Sequence, residues 1–442
     1  MNADFKPSES RGIASLLRSP ALAVVAAYLL RMALFWLSYH HIDYEHPRFG
    51  TVGVEASLVA NSLAAGRGFF GPYPRYQAAT AILAPVYPFL GAIGYKIYHL
   101  DSFAATLFFQ IMNCAFSAAT CWPIHAIGKK LFGERIGLAS AWCWVFFPYA
   151  VLLPLEWTWD QSLSALLLAI IVWATLALPD NASPSSLAWS GYGLLWGFSA
   201  LVNPALCAPL PFLLVWIAYR RRRAGLESLK FVATSVFMFV LALVPWTIRN
   251  YYAVDGLIFV KSNFGMELWL GNNPAVKQIY SVELHPGKNA QQLLQMILEG
   301  EPNYNRQKER EAIVYIEAQP AAFVKNTFER VEDTWTDAYD SEIDPWILTL
   351  GARQADVWFC SIFTIIAFVG MILAQRLNFS DSLPLALCIF LIPLPYYLTR
   401  PSLRYRHPID PFLTIFAVYA MARLVSALRR ATAPKLAARS VS

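Results

Sequence analysis

The sequence predicts an all-α integral membrane protein, and three observations carry that prediction. Of its 442 residues, 57% are hydrophobic and only 14% are charged, more apolar surface than a soluble domain can hide. Apolar runs recur along the chain with the length of about 15 to 20 residues that carries a helix across a hydrocarbon core. None of these runs shows the period-2 alternation of a barrel strand, and in lipid only helices and closed barrels satisfy their own backbone. The runs are therefore helices, and most of the chain lies in the membrane.

The first candidate span, Pro20 to Tyr39, follows Lys6, Arg11 and Arg18. It is too long and too polar at its exit for a cleavable signal, so it reads as an anchor with its N-terminus in the cytoplasm. A polar first outer loop, 40–79, follows it. Further candidates are Ala78 to Tyr98, interrupted by Pro85 and Pro88, then Ala104 to Ile127, Ile136 to Leu153, Leu163 to Leu178, Leu187 to Val202, Ala205 to Tyr219 and Phe231 to Ile248. After a long outer stretch come Val357 to Leu373, Leu383 to Leu398 and Phe412 to Leu428. That makes about 10–11 spans in three regions: 1–248, an N-terminal membrane module; 249–356, an outer helical region; and 357–442, C-terminal spans with a basic tail.

Lys/Arg clusters mark cytoplasmic ends: Lys129, Lys130 and Arg135, then Arg220 to Arg223, Arg376, and Arg429 with Arg430. From Arg220 onward the alternation closes. Upstream it fails by one segment if every candidate spans, which points to Ala78 to Tyr98 or its successor as the exception. The net charge of +6 belongs mostly to these clusters, so it faces anionic lipid and not nucleic acid. The six cysteines sit in apolar segments without CxxC or Cys/His spacing, as small core residues and not as disulfides or zinc ligands. Asn181-Ala182-Ser183 fits a glycosylation sequon but falls on the cytoplasmic side. Asn289 to Trp335 carries apolar residues at helical spacing amid charges, the pattern of amphipathic helices on a membrane surface. No Gly-rich phosphate loop and no Ser/His/Asp arrangement is present.

Several residues are chemically conspicuous. Glu55 stands at the water's edge in the first outer loop, where it reads as a reactive carboxylate or as an acid at a helix start. Arg31 lies inside the first apolar helix, where a charge is costly and either functional or paired with a neighbouring helix. Asp160 follows Trp157 and Trp159 at an outer interface, where the tryptophans form an aromatic belt or stack on a ligand. Arg400, Arg404, Arg406 and His407 crowd one outer turn. Arginines on the side opposite the positive-inside preference need a local anion or snorkel toward headgroups. Arg249 and Lys261 could join them, and Arg75 and Tyr76 end the first loop.

The chain resembles the membrane-embedded GT-C glycosyltransferases that use lipid-phosphate-linked sugars, the protein O-mannosyltransferase and aminoarabinose-transferase-like branch in particular. The landmarks, in order, are Glu55 with Ala60 and Gly66-Arg67-Gly68-Phe69; Ala84-Pro85-Val86-Tyr87-Pro88; Glu156 to Leu163; Asn203-Pro204; Pro245 to Tyr251; Ser262 to Pro274; and Arg404-Tyr405-Arg406-His407-Pro408. Each is weak alone, and their order makes them specific. Many relatives carry an Asp-Glu pair in the first outer loop; here Val54 precedes Glu55, so the glutamate acts alone or borrows Asp43, Glu45 or Asp160.

The resemblance implies a GT-C fold, with a helical first outer loop and a second outer helical region. It implies inverting transfer of a sugar from a polyprenyl (undecaprenyl or dolichyl) phosphate donor to a glycan, lipid or protein acceptor on the extracytoplasmic face. Glu55 would deprotonate the acceptor. Arg404, Arg406, Arg249, Arg400 and His407 would hold the donor phosphate, and Asp160, Arg75, Tyr76 and Lys261 would contact substrate. Pro85 and Pro88 would bend the helix beneath the first loop. No metal or other cofactor is expected, since no motif pairs acids for Mg²⁺ or Mn²⁺, although a divalent ion is used by distant members. Membrane lipids are the remaining partner, and a bacterial inner membrane with a periplasmic site is the expected location. The alternative is a transporter or flippase of lipid-linked glycans, which would place charges at mid-membrane and show inverted repeats.

Overall fold

A computed structural model describes residues 19–39, 54–99, 102–156, 159–181, 185–276, 279–338 and 352–439. Among them the chain is helical: α1 (Pro20–Tyr39), α2 (Val54–Ala64), α3 (Val86–Tyr98), α4 (Phe103–Ala119), α5 (Cys121–Phe132), α6 (Glu134–Phe146), α7 (Pro148–Glu156), α8 (Gln161–Ala177), α9 (Ser186–Val202), α10 (Leu210–Arg223) and α11 (Leu229–Val254). The outer helices α12 (Phe264–Gly271), α13 (Ala290–Glu299), α14 (Glu301–Ala318) and α15 (Pro320–Thr336) follow. The chain then forms α16 (Ala352–Leu377), α17 (Phe379–Leu391), α18 (Leu394–Leu398), α19 (Leu403–Arg406) and α20 (Asp410–Arg439).

Length and hydropathy admit 7 membrane spans among the described residues, or 8 if the pair Glu134–Phe146 and Pro148–Leu155, bent by 42°, counts as one. This is fewer than the sequence suggests, for a geometric reason. At 1.5 Å per residue, the 13 residues of α3 and 14 of α10 fall short of a full crossing. Residues 80–85 are irregular, and α3 begins only at Val86. Pro85 and Pro88 therefore start a helix and do not bend one: Pro85 is its N-cap and Pro88 lies in its first turn, where a proline costs no hydrogen bond.

Two apolar cores are the largest among the described residues. The larger holds the membrane helices together around Trp144, Trp189, Trp196, Phe412 and Phe416. The smaller joins the first outer loop to the second outer region through Val59, Phe69, Tyr73, Met266, Trp269 and Met296. The amphipathic stretch from Asn289 is thus α13 to α15, laid over the bundle as a cap. Close approach depends on small residues: a Cβ on Gly370 of α16 would collide with the Phe416 carbonyl of α20.

Arg31 is fully buried. Its guanidinium donates to Ser117 Oγ (3.0 Å) and to the carbonyls of Ala27 (2.9 Å), Val145 (3.4 Å), Trp144 (3.2 Å) and Ala150 (2.9 Å). It fastens α1 to α4, α6 and α7, so the helix pairing that the sequence offered is present. All six cysteines are free thiols.

Two of the basic clusters meet at one end of the bundle. Lys130 at the end of α5 and Arg220 of α10 both pair with Asp180, and Arg220 also reaches Asp381 of α17. Asp160 and Asp180 bracket α8, about 30 Å apart along its axis. Asp160 therefore belongs to the opposite end. Asn181 passes its carbonyl to Arg221 Nη1 (2.8 Å); the rest of the sequon, like Asp43, Glu45 and Trp157, lies outside the described residues.

Candidate active site

A cavity of about 740 Å³ opens between the membrane helices, the first loop and the segment that leads from α11 to α13, a size suited to a substantial ligand. Glu55 of α2, Asp160 before α8, Lys261 after α11, and Arg400 and Arg404 around α18 and α19 all line it. Five of the residues singled out in the sequence are brought together here from segments up to 349 positions apart.

Three acids, Glu55, Asp160 and Glu267, share it with four cations, Lys261, Lys288, Arg400 and Arg404. Asp160 accepts from Ser164 Oγ (2.9 Å). Glu267, which the sequence reading passed over, accepts from Asn263 Nδ2 (3.3 Å) and from Tyr280 Oη (3.1 Å). No described residue hydrogen-bonds the half-buried Glu55 carboxylate, which stands in the first turn of α2. Of the three, Glu55 is the acid that lines the cavity without a hydrogen bond from a described residue.

The cations sit in an aromatic frame. Arg400 lies over the Tyr280 ring at 4.8 Å. Arg404 lies over Tyr405 at 4.8 Å and donates to its hydroxyl (3.2 Å), while Tyr405 stacks on Tyr396 at 4.4 Å. These rings hold the guanidiniums against the cavity wall. Lys261 is recessed among charges: burial holds its ammonium below the usual lysine range, although Glu267, Asp160 and Glu55 pull the other way, and Arg404 pushes it further down. Tyr280 is pushed up by burial and by Glu267, so its hydroxyl stays a neutral donor.

The other expected residues lie elsewhere, and each for a visible reason. Arg406 is fully buried, with Nε on Asp410 Oδ1 (3.1 Å) and Nη1 on Cys360 Sγ (2.9 Å) and the Thr334 carbonyl (3.3 Å). Its charge is already spent on holding α15, α16 and α20 together. His407 is also buried, with Nδ1 against Asp410 Oδ2 (3.1 Å) and its ring stacked on Trp144 at 5.4 Å. Arg249 donates to the Thr80 and Phe69 carbonyls (2.5 and 2.7 Å) and lies over Phe69 and Trp246 at 5.3 and 4.9 Å. It binds the first loop through these two carbonyls. Tyr76 is buried and Arg75 exposed, and neither reaches the cavity.

Residues 83–248 match the family model described as dolichyl-phosphate-mannose-protein mannosyltransferase. Across 95% of its length the chain is similar to the oligosaccharyltransferase of Archaeoglobus fulgidus, in a structure with Zn and sulfate, at a TM-score of 0.54 and 14% identity. The chain has the GT-C fold. A second structure of that archaeal protein, tethered to an acceptor peptide containing an NVT sequon, gives 0.53 and 12% over 94% of this chain. The GT-C chain spans about half the length of this neighbour, covering 51% and 50% of it in the two structures. ArnT from Cupriavidus metallidurans bound to undecaprenyl phosphate aligns over 94% of this chain and 78% of its own, at a TM-score of 0.41 and 11% identity. No curated protein sequence matches the chain. No three His, Cys, Asp or Glu side chains are arranged to hold a metal ion among the described residues.

Proposed function

We propose that this chain is a membrane glycosyltransferase that takes a sugar from a polyprenyl-phosphate donor and passes it, with inversion, to an acceptor on the extracytoplasmic side. The observation that carries the reading is a single cavity in which an available carboxylate, Glu55, shares the walls with Lys261, Arg400 and Arg404. The mannosyltransferase-family match and the GT-C fold support glycosyl transfer in general. The position of the cavity supports the outer face, since it lies at the end of the bundle opposite the Lys130, Arg220 and Asp381 cluster, and positive clusters stay inside.

A sugar on a polyprenyl phosphate already has a good leaving group. The enzyme needs chiefly a base and a place for the departing charge. Glu55 takes the proton of the acceptor hydroxyl or amine as that atom attacks the anomeric carbon. The bond from this carbon to the phosphate oxygen breaks on the opposite face, and its electron pair leaves with the polyprenyl phosphate. Arg400, Arg404 and Lys261 stabilise the phosphate as its charge grows. Glu267 and Tyr280 orient Arg400, and Asp160 with Glu267 keeps Lys261 cationic.

The test is release of free polyprenyl phosphate from a panel of radiolabelled donors by purified protein in detergent. Release that disappears in Glu55→Gln supports the reading and reveals the sugar. Translocation across vesicles without cleavage overturns it in favour of a flippase.

A further inference from the structure

Next to the cavity, outside its lining, lies a buried acid that the proposed reaction does not use. Glu301, the first residue of α14, is 2% exposed. Its Oε1 accepts from the Ala81 N–H (2.8 Å) and from Ser262 Oγ (2.6 Å), and its Oε2 accepts from Thr80 Oγ1 (2.6 Å). The two segments it grips also bond each other, the Ser262 N–H donating to the Ala81 carbonyl (2.9 Å). Arg249 holds the same loop from the membrane side through the Thr80 carbonyl, and its charge favours the Glu301 carboxylate.

The placement is informative because of what comes next along each segment. Ile82, Leu83 and Ala84, which follow Ala81, line the cavity, and so do Lys261 and Asn263, the two neighbours of Ser262. One carboxylate thus joins the end of the first outer loop, the turn that carries Lys261, and the cap. Burying a carboxylate is expensive, and burial does push Glu301 above the usual carboxylate range in spite of its three donors. An apolar side chain would pack the same space more cheaply but could not fix two backbone segments at once.

We infer that Glu301 is a positioning residue for the transfer reaction, clamping the Ile82 to Ala84 wall against the Lys261 turn so that Lys261 faces the donor phosphate. This rests on the glycosyltransferase reading above. The clamp makes Lys261 a fixed charge held among Glu267, Asp160, Glu55 and Arg404 and not a mobile surface lysine.

The experiment compares wild type, Glu301→Ala, Glu301→Gln and Ser262→Ala as full-length protein in detergent. Amide hydrogen exchange is followed in segments 78–85 and 258–266, with donor turnover as a function of pH. In Glu301→Ala both segments should exchange faster, turnover should fall at least about tenfold, and the alkaline limit of the pH profile should rise as Lys261 regains solvent. Glu301→Gln keeps an acceptor oxygen for Ala81 and Ser262 and should recover most of both effects. Ser262→Ala, which removes one bond and guards against a misfolded Glu301→Ala, should show the same changes to a smaller degree. Faster exchange with turnover and pH profile unchanged makes the clamp merely structural and overturns the inference, as does unchanged exchange. Wild-type protein that turns over no polyprenyl-phosphate sugar defeats the transferase reading itself, a failure visible without any variant.

Discussion

Arg404 and Arg406 stand two residues apart in α19, and replacing each by alanine should give opposite phenotypes. Arg406→Ala removes a guanidinium that is 0% exposed and leaves Asp410, 1% exposed, with only the His407 ring beside it, Nδ1 at 3.1 Å. It also strips the donor from the Thr334 carbonyl and from Cys360 Sγ. Breaking a buried pair by removing one member costs about 3–5 kcal/mol, a large part of the roughly 5–15 kcal/mol that holds a domain folded. Arg404, by contrast, lies in the cavity wall with Tyr405 as its stacking partner. Its loss should destabilise the fold less than the loss of Arg406 does. Donor affinity should suffer instead: a charge-assisted hydrogen bond is worth about 1.5–3 kcal/mol, which is about 10- to 150-fold in Kd. Thermal unfolding in detergent and equilibrium binding of a labelled polyprenyl phosphate, measured on the same preparations, separate the two outcomes. An Arg406→Ala protein that melts like wild type but no longer binds donor would refute the assignment of these arginines.

Three further outcomes are expected. Glu55→Gln should lower kcat by about 10²- to 10⁴-fold, the usual contribution of a general base, with donor Kd and thermal stability unchanged. Lys261 has its proton affinity lowered by burial, so it loses charge at a pH below that of a solvated lysine; donor affinity should fall as pH rises through that value, and Lys261→Arg should extend binding to more alkaline pH, since arginine stays protonated. Gly370→Ala should destabilise the protein by about 1–3 kcal/mol through overpacking, because its Cβ would meet the Phe416 carbonyl; a melting temperature equal to wild type would show that α16 and α20 are free to separate.

The membrane helices and the amphipathic cap were legible because both are periodic and local. Glu55 and Arg404 were visible as charges in outer segments, where few structural roles compete. The division between Arg404 and Arg406 was not legible, since two positions apart on a helix places them about 200° apart, and only Asp410, Cys360 and the Thr334 carbonyl determine which one turns inward. Arg249 had the same signature as a phosphate ligand, yet its partner carbonyls are 169 and 180 residues away. Glu267 and Tyr280 escaped because each is ordinary in its own segment. Their signal is mutual, a hydroxyl on a carboxylate beneath Arg400. Glu301 looks like a routine acid at a helix start, and its three donors come from distant loops.

The central claim is that base and phosphate site share one cavity with separate tasks, and a single-turnover experiment on donor-loaded protein tests it most directly. The rate constant for polyprenyl-phosphate release and the donor Kd would be measured together for wild type, Glu55→Gln and Arg404→Ala. The account predicts a rate lost and a Kd kept in Glu55→Gln, and a weakened Kd in Arg404→Ala. Wild-type release by Glu55→Gln, or equal loss of donor binding in both variants, would contradict it.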